Sequence, residues 1–212
     1  MASTVTKNGL LVFVRYPKAN QVKTRLIPAL GAEGAASLYQ QMAEHTLAQV
    51  RKLSGLEHLS VQIWFTGGSI AQMKTWLGDD LDYQVQPEGD LGDRLFYAFQ
   101  TAFNQGHQFV VAIGTDCPSL NASILDQGFQ TLKHHRLTLG PATDGGYYLI
   151  GMRQLFPVVF NGISWGTSEV FNQTVNTAEG LGLEIAYLPT LTDIDTPKDL
   201  EIWEQVKANT RI

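Results

Sequence analysis

The chain has 212 residues, 44% of them hydrophobic, and a net charge of -5 from fifteen Lys and Arg against twenty Asp and Glu. That balance excludes nonspecific binding to nucleic acid or to an anionic membrane, and no apolar run is long enough to span a bilayer. A single cysteine, Cys117, excludes an internal disulfide and a multi-Cys zinc site, and the polar amino end lacks the apolar segment of a secretory signal, so the expected location is the cytoplasm.

Taken in chain order, residues 1–8 are expected to form a disordered tail. Gly9 to Val14 reads as a first buried strand. A helix is predicted from about Ala32 to Leu53, with Tyr39, Ala43, Thr46, Val50 and Leu53 on one face. Val61 to Phe65 gives a second strand, ended by Gly67-Gly68, and Tyr83 to Val85 a short third. Leu91, Leu95, Ala98, Phe99, Ala102 and Phe103 form the stripe of the next helix, before a strand over Phe109 to Ile113. Further helices are predicted around Ile124 to Leu132 and Ser168 to Ala178, with strands at Leu137 to Leu139, Tyr147 to Ile150 and Leu183 to Leu188. Thr196, Pro197 and Asp199 carry a capping box that opens the closing helix. This alternation implies one α/β domain over residues 1–212, with a mostly parallel sheet covered by helices on both faces.

Open α/β sheets bind ligands beyond the carboxyl ends of their strands, so the loops there carry the functional signal. After the first strand, Arg15, Lys18, Lys23 and Arg25 place four cations within eleven residues, a composition suited to a diphosphate or to a solvated basic loop. The loop lacks the spacing of a Walker P-loop, and GxGxxG is also absent. After the third strand, Gln86 can read a base edge, Gly89 allows close backbone approach, and Asp90 fits either a ligand contact or a helix N-cap. Asp116, at the end of the fourth strand, can hold a metal. Asp144, beside Gly145 and Gly146, is the candidate for orienting or deprotonating an acceptor hydroxyl, though Asp-Gly also suits a turn between strands. Tyr147 and Trp165 suit the acceptor side. His134 and His135 read as helix-terminal residues, His45 and His107 have no partners at ligand spacing, and Cys117 reads as buried filler.

The ordered runs Arg15-Tyr16-Pro17-Lys18 with Val22-Lys23-Thr24-Arg25-Leu26, Gln86 to Gly92, Ile113 to Pro118, Pro141 to Gly151 and Asp193 to Leu200 resemble the bacterial DUF2064 family. Its members are often labelled glycosyltransferases associated with radical-SAM or arsenosugar gene neighbourhoods. More distantly the chain is similar to phospholactate guanylyltransferase and the molybdenum-cofactor nucleotidyltransferases. The resemblance implies a GT-A fold of the nucleotide-diphospho-sugar transferase type. It further implies a diphosphate cradled by Lys18, Lys23 and Arg25, a nucleobase bordered by Gln86 and Gly89, and a divalent metal, Mg²⁺ or Mn²⁺, on Asp116. The chain has Thr115-Asp116-Cys117 where archetypal glycosyltransferases have Asp-x-Asp, so a second ligand is expected from Asp193 or Asp195. Glycosyl transfer from a nucleotide-diphospho-sugar to a small hydroxylated acceptor is the leading expectation. Nucleotidyl transfer with pyrophosphate release is the alternative, and a catalytically silent nucleotide-binding regulator is the alternative of another class.

Overall fold

The computed structural model describes residues 7–53, 56 and 58–210. Seven strands, β1 (Asn8–Arg15), β2 (Leu59–Thr66), β3 (Asp82–Val85), β4 (Phe109–Ile113), β5 (Leu137–Pro141), β6 (Tyr147–Met152) and β7 (Ile185–Tyr187), form one sheet. They lie in the order β3-β2-β1-β4-β6-β5-β7. All neighbours are parallel except β6, which runs antiparallel to both β4 and β5. Six helices accompany them: α1 (Ile27–Val50), α2 (Ile70–Leu77), α3 (Leu91–Asn104), α4 (Ala122–Thr131), α5 (Val170–Gly180) and α6 (Leu200–Thr210).

The period-2 alternation of buried strands divides the core between two faces. Leu10, Val12, Ile63, Phe65, Val111 and Ile113 pack with Met42, Met73, Phe129 and Trp203, contributed by α1, α2, α4 and α6. Leu11, Trp64, Val110 and Ala112 pack on the opposite face with Leu95, Phe99 and Ala178 from α3 and α5. Among the described residues no helix is long and apolar enough to cross a membrane.

Three features depart from the sequence expectations. Residues 1–6 of the expected tail lie outside the described residues, whereas Asn8 is buried in β1 and Lys7 accepts a hydrogen bond from the Gln108 amide. Helix α2 was not anticipated, although Ser69 and Gln72 close a reciprocal capping box at its start. The first helix begins at Ile27 and breaks at Gly31 (φ 71°), so its regular part starts near the expected Ala32.

The strand order reverses between β1 and β4, which splays the loops after those strands and opens a cleft between them. On its far side, the turn joining β5 to β6 carries Asp144. Gly145 there has φ +90°, and a Cβ would lie 2.2 Å from the Ser168 carbonyl oxygen. Both the left-handed backbone and the close approach require glycine. Gly145→Ala is therefore expected to destabilise the protein by about 2 kcal/mol or more, read from urea unfolding midpoints at unchanged m.

Candidate active site

The cleft has two halves that meet at Arg25, Leu91, Asp116 and Asp195. The first, about 390 Å³, is lined by the ends of β1 and β2, the loop after β1, Gln86 and Arg94. The second, about 510 Å³, is lined by Asp144, Asp193, Tyr147, Tyr148, Trp165 and the 166–168 loop.

Lys23 stands at the junction. Its side chain is only 6% exposed, and Nζ lies 2.5 Å from Asp116 Oδ1 and 2.7 Å from Asp195 Oδ1. Burial alone would lower its pKa, but the charges of Asp116 and Asp195 outweigh that penalty and hold the amine protonated. Its backbone is left-handed (φ 45°, ψ 45°), an unusual conformation for a non-glycine residue. That conformation starts the 3₁₀ turn Thr24–Leu26, and buried Leu26 anchors the turn in the core. Arg25 remains exposed, 3.7 Å from Asp195.

The two carboxylates reach Lys23 for local reasons. Asp116 follows β4, where Thr115 Oγ1 donates to the Tyr39 phenol at 3.2 Å, and the Tyr39 oxygen also accepts from the Arg15 amide at 2.8 Å. Tyr39 thereby joins the loops after β1 and β4 from beneath, and burial with nearby Asp116 pushes its pKa up to about 12. Asp195 belongs to a segment whose Ile194 is fully buried and donates its amide to the Asp116 carbonyl at 3.0 Å. Asp193 and Asp195, on either side of Ile194, line the cleft. Asp199 accepts from the amides of Asp195 and Thr196, fixing that segment.

Asp193 is pushed up to about 6, by burial first and then by the charge of Asp144. Asp144 itself is exposed and accepts from the Gly146 amide at 2.8 Å. Cys117, beside Asp116, is buried, and burial with the charges of Asp193 and Asp116 pushes its thiol pKa up. This matches the expectation of an inert side chain.

Several sequence assignments change in position. Lys23 lines the first half already paired with Asp116 and Asp195. Lys18 is exposed and lines neither half of the cleft, while Arg15, Arg25 and Gln86 do line it. Gly89 and Asp90 lie outside the cleft lining; Asp90 caps α3 in a capping box with Asp93. Gly146 faces the second half, whereas Gly145 packs on the Ser168 backbone. The ring of Tyr147 lines the cleft edge-on to Trp165, with centroids 6.3 Å apart, but its hydroxyl is buried beside Thr174 of α5. It offers the cleft an apolar wall and no phenol donor.

Sequence reasoning missed Arg94, which lines the first half and donates from Nε to the Gly89 carbonyl at 3.1 Å. The signal was its place four residues after the N-cap Asp90, one turn into α3. Gly92 completes the same turn: a Cβ there would lie 2.6 Å from the Trp165 indole nitrogen and 2.8 Å from the Phe160 carbonyl.

The donor chemistry of the cleft fits a divalent cation. Asp116, Asp193 and Asp195 are hard oxygen donors opening into one cavity. Among the described residues no three such side chains form a complete cluster, so a six-coordinate ion would need other oxygens as well.

A family model described as an uncharacterized protein conserved in bacteria, DUF2064, matches residues 46–167. This chain belongs to the DUF2064 family. A crystal structure from Desulfovibrio desulfuricans G20, provisionally named a nucleotide-diphospho-sugar transferase, is 35% identical to this DUF2064 protein. The match covers 90% of this chain and 83% of the other, with a TM-score of 0.82. The 4-diphosphocytidyl-2C-methyl-D-erythritol synthase of Anaerococcus prevotii DSM 20548 is 9% identical, at TM-score 0.63, over 98% and 99% of the two chains. CMP:2-keto-3-deoxy-manno-octonic acid synthetase, solved with CTP, is 11% identical, at TM-score 0.58, over 97% and 100%. These last two share the fold alone. No curated protein matches the sequence. The DUF2064 chain thus has the fold of the nucleotide-diphospho-sugar transferases.

Lys23→Met should destabilise the protein by about 1–3 kcal/mol, because it leaves Asp116 and Asp195 without their shared cation. This lies below the roughly 3–5 of a fully buried pair, since both carboxylates are partly exposed. Chemical denaturation should show most of that loss recovered in the triple neutral variant Lys23→Met, Asp116→Asn, Asp195→Asn. For Asp193, a folded pKa of about 6 against an ordinary 3.8 means that proton binding favours the folded state. That contribution is complete below the unfolded value and is lost as pH rises through about 6. Asp193→Asn should consequently change the melting temperature little at pH 4 and raise it at pH 8.

Proposed function

We propose that this protein is a metal-assisted glycosyltransferase that uses a nucleotide-diphospho-sugar donor and a small hydroxylated acceptor. The observation that carries the reading is the division of charge across the cleft. Arg15, Lys23, Arg25 and Arg94 line the first half, whereas the second has Arg25 as its one lining cation against Asp116, Asp144, Asp193 and Asp195. A diphosphate is favoured in the first half, and a phosphorylated acceptor is repelled from the second.

In this reading Lys23 and Arg25 bind the donor diphosphate at the junction. The sugar extends into the second half, against Tyr147 and Trp165, whose rings suit the apolar face of a pyranose. Asp144 orients the acceptor hydroxyl, and Asp193, with a pKa raised to about 6, receives its proton. The acceptor oxygen bonds to the anomeric carbon as the bond from that carbon to the diphosphate oxygen breaks. The electron pair stays on the diphosphate, where Lys23 and Arg25 offset the charge. When bound, a Mg²⁺ or Mn²⁺ ion held by Asp116 with Asp195 would supply Lewis-acid stabilisation of the same leaving group.

The single Asp of Thr115-Asp116-Cys117 favours a second reading, nucleotidyl transfer from a nucleoside triphosphate. One product assay separates the two. Purified protein incubated with pooled nucleotide sugars, nucleoside triphosphates and hydroxylated or phosphorylated acceptors is expected to release nucleoside diphosphate and no pyrophosphate, as read by mass spectrometry. Stoichiometric pyrophosphate release with a phosphorylated acceptor would replace the first reading by the second.

A further inference from the structure

Lys23 and a divalent ion at the junction need the same two oxygens. Nζ holds Oδ1 of Asp116 at 2.5 Å and Oδ1 of Asp195 at 2.7 Å, so it marks the point on which the two carboxylates converge. The other Asp195 oxygen turns towards Arg25, 3.7 Å away. An ion bridging the two Oδ1 atoms at the reach of Mg²⁺, about 2.1 Å, would lie within about 5 Å of an ammonium left in place, and the two cations would repel each other in a poorly solvated site.

Charge and access both favour exchange over coexistence. One ammonium offsets only one of the two carboxylate charges, whereas a divalent ion offsets both. The Asp116 and Asp195 side chains are 48% and 38% exposed and line both halves of the cleft, while Lys23 is 6% exposed and, of the two halves, lines the first. An ion can therefore reach the carboxylates from the second half, and the amine can withdraw into the first. The remaining charged side chains that line the first half are Arg15, Arg25 and Arg94, so the partner of a withdrawn amine is the anion that this half receives.

Only the lysine side chain has to move. The Tyr39 phenol accepts from Thr115 Oγ1 and from the Arg15 amide, and the Asp116 carbonyl accepts from the Ile194 amide. These bonds hold the loops that carry Asp116 and Asp195 without involving the ammonium. Buried Leu26 likewise anchors the turn after Lys23.

On the reading that this cleft takes a divalent ion with a diphosphate donor, we propose that Lys23 is the placeholder of the ion. Its ammonium bridges Asp116 and Asp195 in the ion-free protein, yields them when the ion enters, and turns to the diphosphate. Each ligand thereby raises the affinity of the other, because the ion frees the amine that the diphosphate contacts.

Binding of Mn²⁺ alone to the intact protein, read from the electron paramagnetic resonance signal of the free ion, tests the exchange. Lys23→Met should bind Mn²⁺ about tenfold or more tightly than the wild type. Arg25→Met, which removes a neighbouring exposed cation, should change the affinity by about threefold or less. A second measurement needs no variant. Acetylation of Lys23 by acetic anhydride, read by peptide mass spectrometry, should be suppressed in the metal-free wild type and should rise in step with Mn²⁺ occupancy. A gain of about threefold or less in Lys23→Met, an equal gain in Arg25→Met, or a Lys23 that stays protected while Mn²⁺ is bound would overturn the exchange and leave the metal-assisted reading standing. Failure of Mn²⁺ to bind any of the three proteins would overturn both the exchange and the part of the metal in the proposed reaction.

Discussion

An ammonium group buried between two carboxylates sets the geometry on which the rest of the site depends. Lys23 and Asp195 are 172 positions apart in the chain, and Asp116 comes from a third loop. A lysine so deeply buried stays charged only while both carboxylates remain beside it. The three loops are therefore held at fixed distances across the mouth of the sheet. The left-handed backbone at Lys23 is part of this arrangement, because it aims the side chain inward while letting Arg25 turn outward. Tyr39 and the Ile194 amide reinforce the junction from below, so the ion pairs rest on a packed floor.

That junction also separates the two kinds of chemistry in the cleft. Cations outnumber carboxylates on one side and are outnumbered on the other, although the chain as a whole carries only a modest negative charge. The local field is thus set by topology. Strands β1 and β4 diverge at the point where their order reverses, and the antiparallel β6 brings the Asp144 turn to the same end of the sheet as Asp116. Charge separation over so short a span suits a reaction in which a highly anionic group departs from a neutral one.

Much of the frame was legible because buried parallel strands leave unbroken apolar runs, as in Val110 to Ile113, and because the motifs fall at strand ends. Helix α2 escaped because only Met73 and Leu77 of its eight residues are buried, too few to display a period. At the site, Asp116, Asp144, Asp193 and Asp195 were found as residues and do line one cavity. What sequence did not convey was pairing. The composition of the basic loop shows that Lys23 is cationic, but only the fold shows that its partners are carboxylates. Similarly, Tyr147 is recognisable as an aromatic wall, yet the burial of its hydroxyl depends on the packing of α5. Gly89 read as a glycine of close ligand approach and Gly145 as part of the acceptor side; what sequence did not convey is that both have positive φ and pack on Asp93 and on the Ser168 backbone.

The opening turn of α3 bridges the two halves of the cleft. Leu91 lines both halves of the cleft, Gly92 abuts the Trp165 indole with no space for a methyl group, and Arg94 lines the first half. Three of four successive residues thus reach, between them, both halves of the cleft from a single turn. Close-packed contacts of this kind transmit displacement instead of absorbing it. A shift of the turn that carries Arg94 would therefore be felt at the Trp165 wall, so the two halves of the cleft share one stiff element.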